Sequence, residues 1–179
     1  NTPIEWLVLE NDGETALMIS RYALDCKPYN EKLDDIRWET CSLRGWLNNE
    51  FFNKAFSAEE RQYILQSEVN ADKNSKYSMN PGNATKDKVK NPKYSTNPGN
   101  ATKDKVFLLN AVEASNYFKS GDARKCESTD YAIQQGAPQN IFDSCWWWLR
   151  SPGDGSDYVA NVSGANGSID YGYDYSCDY

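Results

Sequence analysis

Apolar positions along the chain recur at two spacings, and each predicts a kind of element. Ile4-Glu5-Trp6-Leu7-Val8-Leu9 and Ala16-Leu17-Met18-Ile19 are strand-like and flank the turn signal Asn11-Asp12-Gly13, which predicts an opening β-hairpin. From Ser42, which is placed to cap a helix, Leu43, Trp46, Leu47 and Phe51 follow at three- and four-residue intervals, the stripe of a helix facing a core. Ser57 with Glu60 forms a capping-box pattern that opens a second short helix through Ile64 and Leu65. Asn110 with Glu113, after the apolar strand Val106-Phe107-Leu108-Leu109, opens a third through Tyr117 and Phe118. A fourth runs from Thr129 to Gln135 and stops at Gly136.

The last quarter changes character. Cys145-Trp146-Trp147-Trp148-Leu149-Arg150 predicts a central strand, because alternating tryptophans on both faces need cover on both sides. Arg150, at its end, is expected to be a buried guanidinium satisfied by carboxylate and carbonyl groups. Tyr158 to Ser163 and Ser168 to Tyr171 then flank Gly164-Ala165-Asn166-Gly167, a hairpin with Asn-Gly at its turn. If Ala160 and Val162 face the core, Asn161 and Ser163 look outward. Short strands and about four helices together predict an α+β fold in one domain, residues 1–179.

Between the second and third helices lies a tandem duplication, residues 73–89 and 90–106, whose copies differ only at Ser75/Pro92 and Met79/Thr96. Two polar copies, each with an Asn-Pro-Gly-Asn turn, predict a surface insertion rather than a solenoid. A Ca²⁺ loop built from Asn83, Asp87, Asn100 and Asp104 is the alternative, although one Asp per copy is thin for an ion that wants several carboxylates. Asn83-Ala84-Thr85 and Asn100-Ala101-Thr102 are glycosylation sequons by pattern.

Composition narrows the function. With 179 residues, 39% hydrophobic and 13% aromatic, the chain is long enough to bury a core without staples. It has no apolar run near 18 residues and no charged-then-apolar leader, so direct membrane insertion is not expected, and the abrupt start at Asn1 suggests an excised domain or mature fragment. The net charge of −7 argues against nucleic acid as a partner, although residues 73–106 carry eight Lys against two Asp. The five cysteines, Cys26, Cys41, Cys126, Cys145 and Cys177, have no CxxC spacing and no His beside them, which disfavours zinc and reads as buried thiols. Without His, Ser-His-Asp and Cys-His catalysis are excluded.

The last 29 residues stand apart: Gly, Ser, Asp and Tyr occur five times each and Asn twice. Lys, Glu, Gln, Met and Trp are missing there, though they fill 37 of the first 150 positions. The mixture matches the contact chemistry of antibody loops, rigid Tyr with adaptable Ser, Asn and Gly. It is also the set reached by replacing only the adenines of an Asn codon, which never yields the five missing types. The plainer reading is a Gly-rich surface hairpin and tail with no role.

Three stretches carry a resemblance: Pro3 to Leu9, Thr40-Cys41-Ser42-Leu43-Arg44-Gly45-Trp46-Leu47-Asn48, and Trp147-Trp148-Leu149-Arg150-Ser151-Pro152-Gly153 followed by Ala160, Val162 and Gly167. They resemble an uncharacterised bacterial and phage domain family that looks C-type-lectin-like, in the formylglycine-generating-enzyme variant of that fold. Some members of that broad group are variable proteins of diversity-generating retroelements, which rewrite adenines at the end of a gene. The resemblance implies a non-catalytic receptor-recognition or display protein that binds a protein or glycan on another surface, without cofactor. Trp147, Leu149, Arg150, Pro152, Gly153, Ala160, Val162 and Gly167 would be fixed scaffold. The ligand-facing set would be Asp154, Ser156, Asp157, Tyr158, Asn161, Ser163, Asn166, Ser168, Asp170, Tyr171, Tyr173, Asp174, Tyr175, Ser176, Asp178 and Tyr179. Tyr158, Tyr171, Tyr173 and Tyr175 would be its anchors and its aspartates would favour a basic partner. A cell-surface, extracellular or virion location follows, with the cytoplasm left open. The family continues into a closing strand that is missing after Tyr179, which suggests a truncated end. The alternatives are a static cell-surface or structural domain and, less favoured, a formylglycine-generating-type oxidase using Cys145 and Cys177.

Overall fold

A computed structural model describes residues 3–32, 37–71, 98–137 and 144–174, with 173 and 174 described by backbone alone. The architecture is α+β: short helices and antiparallel strand pairs in small sheets. β1 (Trp6–Asn11) and β2 (Ala16–Ser20) form the expected opening hairpin, with Gly13 in the left-handed region at the turn.

The helical stretch that follows is continuous but not uniform. α1 (Ser42–Trp46) runs through a π-helical turn at Leu47–Phe51 into α2 (Phe52–Ala55). Its N-cap is Cys41 rather than Ser42: the Cys41 sulfur accepts from the Arg44 amide, while the Ser42 hydroxyl accepts from Glu31 N instead. Ser57 and Glu60 do close their capping box, yet only a 3₁₀ turn follows, Glu60–Gln62. Leu65 stays 60% exposed, so this segment has no apolar stripe to dock, and a helix that short is not stable on propensity alone.

Val106 to Leu109 forms no strand among the described residues. Its apolar side chains instead pack into the core, and the chain enters α3 (Ala111–Tyr117) through the predicted Asn110–Glu113 capping box. α4 (Gly121–Arg124) and α5 (Asp130–Gln134) follow; Thr129 caps α5 and Gly136, at φ 106°, ends it.

Two further pairs tie distant segments together. β3 (Ser67–Val69) pairs with β4 (Thr102–Asp104), and β5 (Cys126–Glu127) with β6 (Ser144–Cys145). β4 belongs to the second copy of the duplication, which corrects the reading of 73–106 as wholly a surface insertion. Asp104, 1% exposed, accepts from the Trp38 indole at 3.0 Å and pairs with the Arg44 guanidinium at 2.8 Å. A buried carboxylate is tolerable only when so compensated, and its engaged oxygens are therefore not free for the Ca²⁺ loop considered above. Asn83 and Asp87 lie outside the described residues.

The main sheet has three strands in the order β7 (Trp147–Pro152), β8 (Tyr158–Val162), β9 (Ile169–Asp174), all antiparallel. The middle strand is thus β8, not the tryptophan strand, and Trp146 falls between β6 and β7. The outer edge of β7 is covered by an irregular segment, since Arg150 N donates to Leu109 O and Ala111 N to Ser151 Oγ. Cover on both faces holds as expected. Trp148 and Val159 pack on one side with Tyr29, Trp38, Leu43 and Leu47, where Tyr29 meets Trp148 edge-on at 5.8 Å. Leu149, Ala160 and Val162 pack on the other with Leu109, Ala111 and Ala114, joined by Leu9 and Ile19 of the first hairpin.

Candidate functional site

Arg150 anchors the platform under the tail. Its guanidinium, on a residue 3% exposed, forks onto both Glu113 oxygens and also donates to Asn70 O and Leu108 O. Glu113 is the residue that closes the α3 capping box, so one carboxylate fixes both the helix start and the strand end. The expectation of a buried Arg150 satisfied by carboxylate and carbonyl groups is met.

Beyond Pro152 the chain turns sharply at Gly153. A Cβ there would lie 2.5 Å from both Tyr158 Cβ and Tyr171 O, so no side chain fits. Gly153 N donates to Tyr158 O at 2.7 Å and Asp154 N to Tyr171 O at 2.6 Å, which pins the loop 153–157 onto β8 and β9. Around Gly155 two site residues converge: a Cβ built there would be 2.9 Å from Asp157 Oδ1 and 3.0 Å from the Tyr158 ring. Asp154, Ser156, Asp157 and Tyr158 are all partly or fully exposed and gather at this end of the hairpin.

The rest of the set is divided. Asn161 and Ser163 correct the expectation that they face outward: they are 0% and 3% exposed. The outward face that alternation assigned to them is covered by the Trp38 and Trp148 cluster, because β8 is the middle strand of a sheet packed on both sides. Neither amide atom of Asn161 has a hydrogen-bond partner among the described residues. Ser163 serves the turn instead, its Oγ accepting from Ala165 N and its carbonyl from Gly167 N.

Asn166 and Ser168 sit at the turn, the opposite end of the hairpin, while Asp170 lies within β9 opposite Asn161 and next to Tyr171. That tip is not free in solution. The backbones of Gly167 and Gly121 approach so closely that neither position has room for a Cβ, and Arg124 donates to Gly167 O at 2.7 Å. Asn166 remains exposed, while the Ser168 hydroxyl donates to Asp170 at 3.2 Å. Tyr171 is half-buried against the Leu149 and Ala160 cluster, a packing role beside its part in the set. Tyr173 and Asp174 continue β9 opposite Val159 and Tyr158; Tyr175, Ser176, Asp178 and Tyr179 lie outside the described residues.

The model of one family, described as a domain of unknown function, matches residues 13–177. The chain belongs to that family, DUF6273. No curated protein and no solved structure matches it.

In this DUF6273 domain Cys26, Cys41 and Cys145 are the buried thiols expected, and Cys126 is partly buried. Cys177 lies outside the described residues, and the residue opposite Cys145 is Cys126. Cys26 and Cys41 are buried apart from them, and burial pushes the Cys41 thiol up to about 11, the behaviour of an inert structural sulfur. Among the described residues no group of three or more His, Cys, Asp or Glu is placed to hold a metal ion, and no helix is long and apolar enough to cross a membrane.

Proposed function

We propose that this DUF6273 chain is a non-catalytic ligand-binding protein whose contact surface is the 153–158 loop with the adjoining end of β8 and β9. The observation that carries the reading is the convergence of Asp154, Ser156, Asp157 and Tyr158 on a loop pinned by two backbone hydrogen bonds to a buried platform. Rigid support beneath exposed polar and aromatic groups lowers the cost of ordering on binding. The carboxylates Asp154 and Asp157 favour a basic patch on the partner, a protein or a glycan on another surface, with Tyr158 as the aromatic anchor.

Within this reading the domain is C-type-lectin-like and its tail is the variable region of a diversity-generating retroelement, supported by the adenine-replacement composition of residues 151–179. Sequencing the gene's surroundings tests it. An adjacent reverse transcriptase gene and an imperfect copy of this 3′ end, differing at adenines only, are expected; finding neither removes the retroelement and leaves a static binding module.

The static reading has its own support in Asn161 and Ser163, which belong to the tail's composition yet lie in the core, where free replacement would be costly. Alleles from one population separate the two. Variation concentrated at Asp154, Ser156, Asp157 and Tyr158 favours diversification, and substitutions spread over all surface loops favour the static module.

A further inference from the structure

We propose that Cys126 and Cys145 form a reversible cross-strand disulfide site, a thiol pair that oxidation closes into a staple just before the start of β7. The two residues are direct register partners in the antiparallel pair β5–β6. Directly opposed residues of such a pair have Cα atoms about 4.5–5.5 Å apart, inside the range of about 4.4–6.8 Å that a disulfide spans. The Cys145 sulfur already reaches across, lying 3.4 Å from the Cys126 carbonyl oxygen. Each strand has only two residues, so the small approach needed to join the sulfurs disturbs little of the ladder.

Access is suitable. Cys145 is 2% exposed, whereas Cys126 is only partly buried and offers the way in. The two thiols act on one another, which lowers Cys145 and raises Cys126 relative to an ordinary thiol. The oxidant is a low-molecular-weight disulfide. Cys126 Sγ loses its proton to solvent and, as the thiolate, attacks one of its sulfurs; the external S–S bond breaks and one thiolate leaves. Cys145 then loses its own proton and attacks the Cys126 sulfur as the thiolate, forming the protein S–S bond and expelling the second thiolate; the two released protons balance the two thiolates expelled. Two protein thiols are oxidised as one external disulfide is reduced to two thiols.

Closure would make a ring of residues 126–145 that contains α5. It would also fix the segment from which Arg124 reaches the hairpin tip at Gly167 O and accepts from the Trp147 indole at its own carbonyl. The inference stands apart from the ligand-binding reading.

The test uses the whole chain, reduced and then incubated with a graded excess of oxidised glutathione, alkylated, and digested without reductant for mass spectrometry. The expected result is a fall from five alkylatable thiols to three, with a cross-linked peptide joining Cys126 to Cys145 and an upward shift of the unfolding midpoint of roughly 5–10 °C. Cys126→Ser should abolish both the cross-link and the shift. Both thiols remaining alkylatable at high excess, or Cys145 joined to any other cysteine, would overturn the proposal.

Discussion

Asn161 and Asn166 lie five positions apart on one hairpin, belong to the same compositionally narrow tail, and have opposite environments. Asn161 is fully buried between Trp148 and Asp170 in the sheet, its amide unpartnered; Asn166 is exposed at the turn. What separates them is the order of strands, because the middle strand of a sheet packed on both faces has no outward side. Composition identifies the hairpin as unusual, and only position within the sheet says which of its residues a partner could touch.

Identical substitutions at the two positions break the comparison most directly. Asn161→Asp should lower the unfolding free energy by about 3 kcal/mol at neutral pH, since burial raises the carboxyl pKa above its unfolded value and the charge has no partner. That loss should shrink as pH falls and vanish below about pH 3, where the carboxyl is neutral in both states. Urea unfolding at two pH values reads both effects, and an undiminished stability at neutral pH would place Asn161 at the surface after all.

Removing the platform's ion pair should come next. Glu113→Ala leaves Arg150 buried without its carboxylate and deletes the α3 capping box, an expected loss of about 3 kcal/mol in the same assay, moderated because Glu113 is 30% exposed. Gly153→Ala forces a Cβ against Tyr158 and the Tyr171 carbonyl and should cost about 1–3 kcal/mol. A cost near zero there would mean that the 153–158 loop is not pinned as described.

Asn166→Asp should change stability by less than about 0.5 kcal/mol, as expected for an exposed polar position. The smallest effect is confined to alkaline pH. Burial and a hydrogen bond to Glu10 raise the Tyr117 phenol from 10.0 to about 12, so its contribution is complete below pH 10 and lost as pH rises from 10 to 12. Tyr117→Phe should flatten that part of a stability-versus-pH curve and leave neutral pH nearly unchanged in its slope.

Much of the fold is legible locally. The opening hairpin, the Asn110–Glu113 capping box, the Thr129 cap and the Gly136 stop are each decided by residues within a few positions of one another, and each appears where the pattern places it. The buried Arg150 is legible for a related reason: a guanidinium at the end of a tryptophan strand must find carboxylate and carbonyl partners. The segment after Ser57 shows the limit of local signals, since a complete capping box without an apolar face yields one turn. Residues 102–104 show the converse: a polar repeat predicts surface, yet Asp104 is buried because Trp38 and Arg44, more than fifty positions away, compensate it.

By itself the amino-acid sequence determined the α+β class, the bounds of α3 and α5 and the identity of the tail as a distinct region, because these depend on short-range periodicity, capping and composition. Strand order, the burial of Asn161 and Ser163, the gathering of Asp154, Ser156, Asp157 and Tyr158 at one end, and the opposition of Cys126 to Cys145 were decided only in the tertiary structure. Each depends on contacts between segments far apart in the chain, and period-two alternation says which residues share a face but not what covers it.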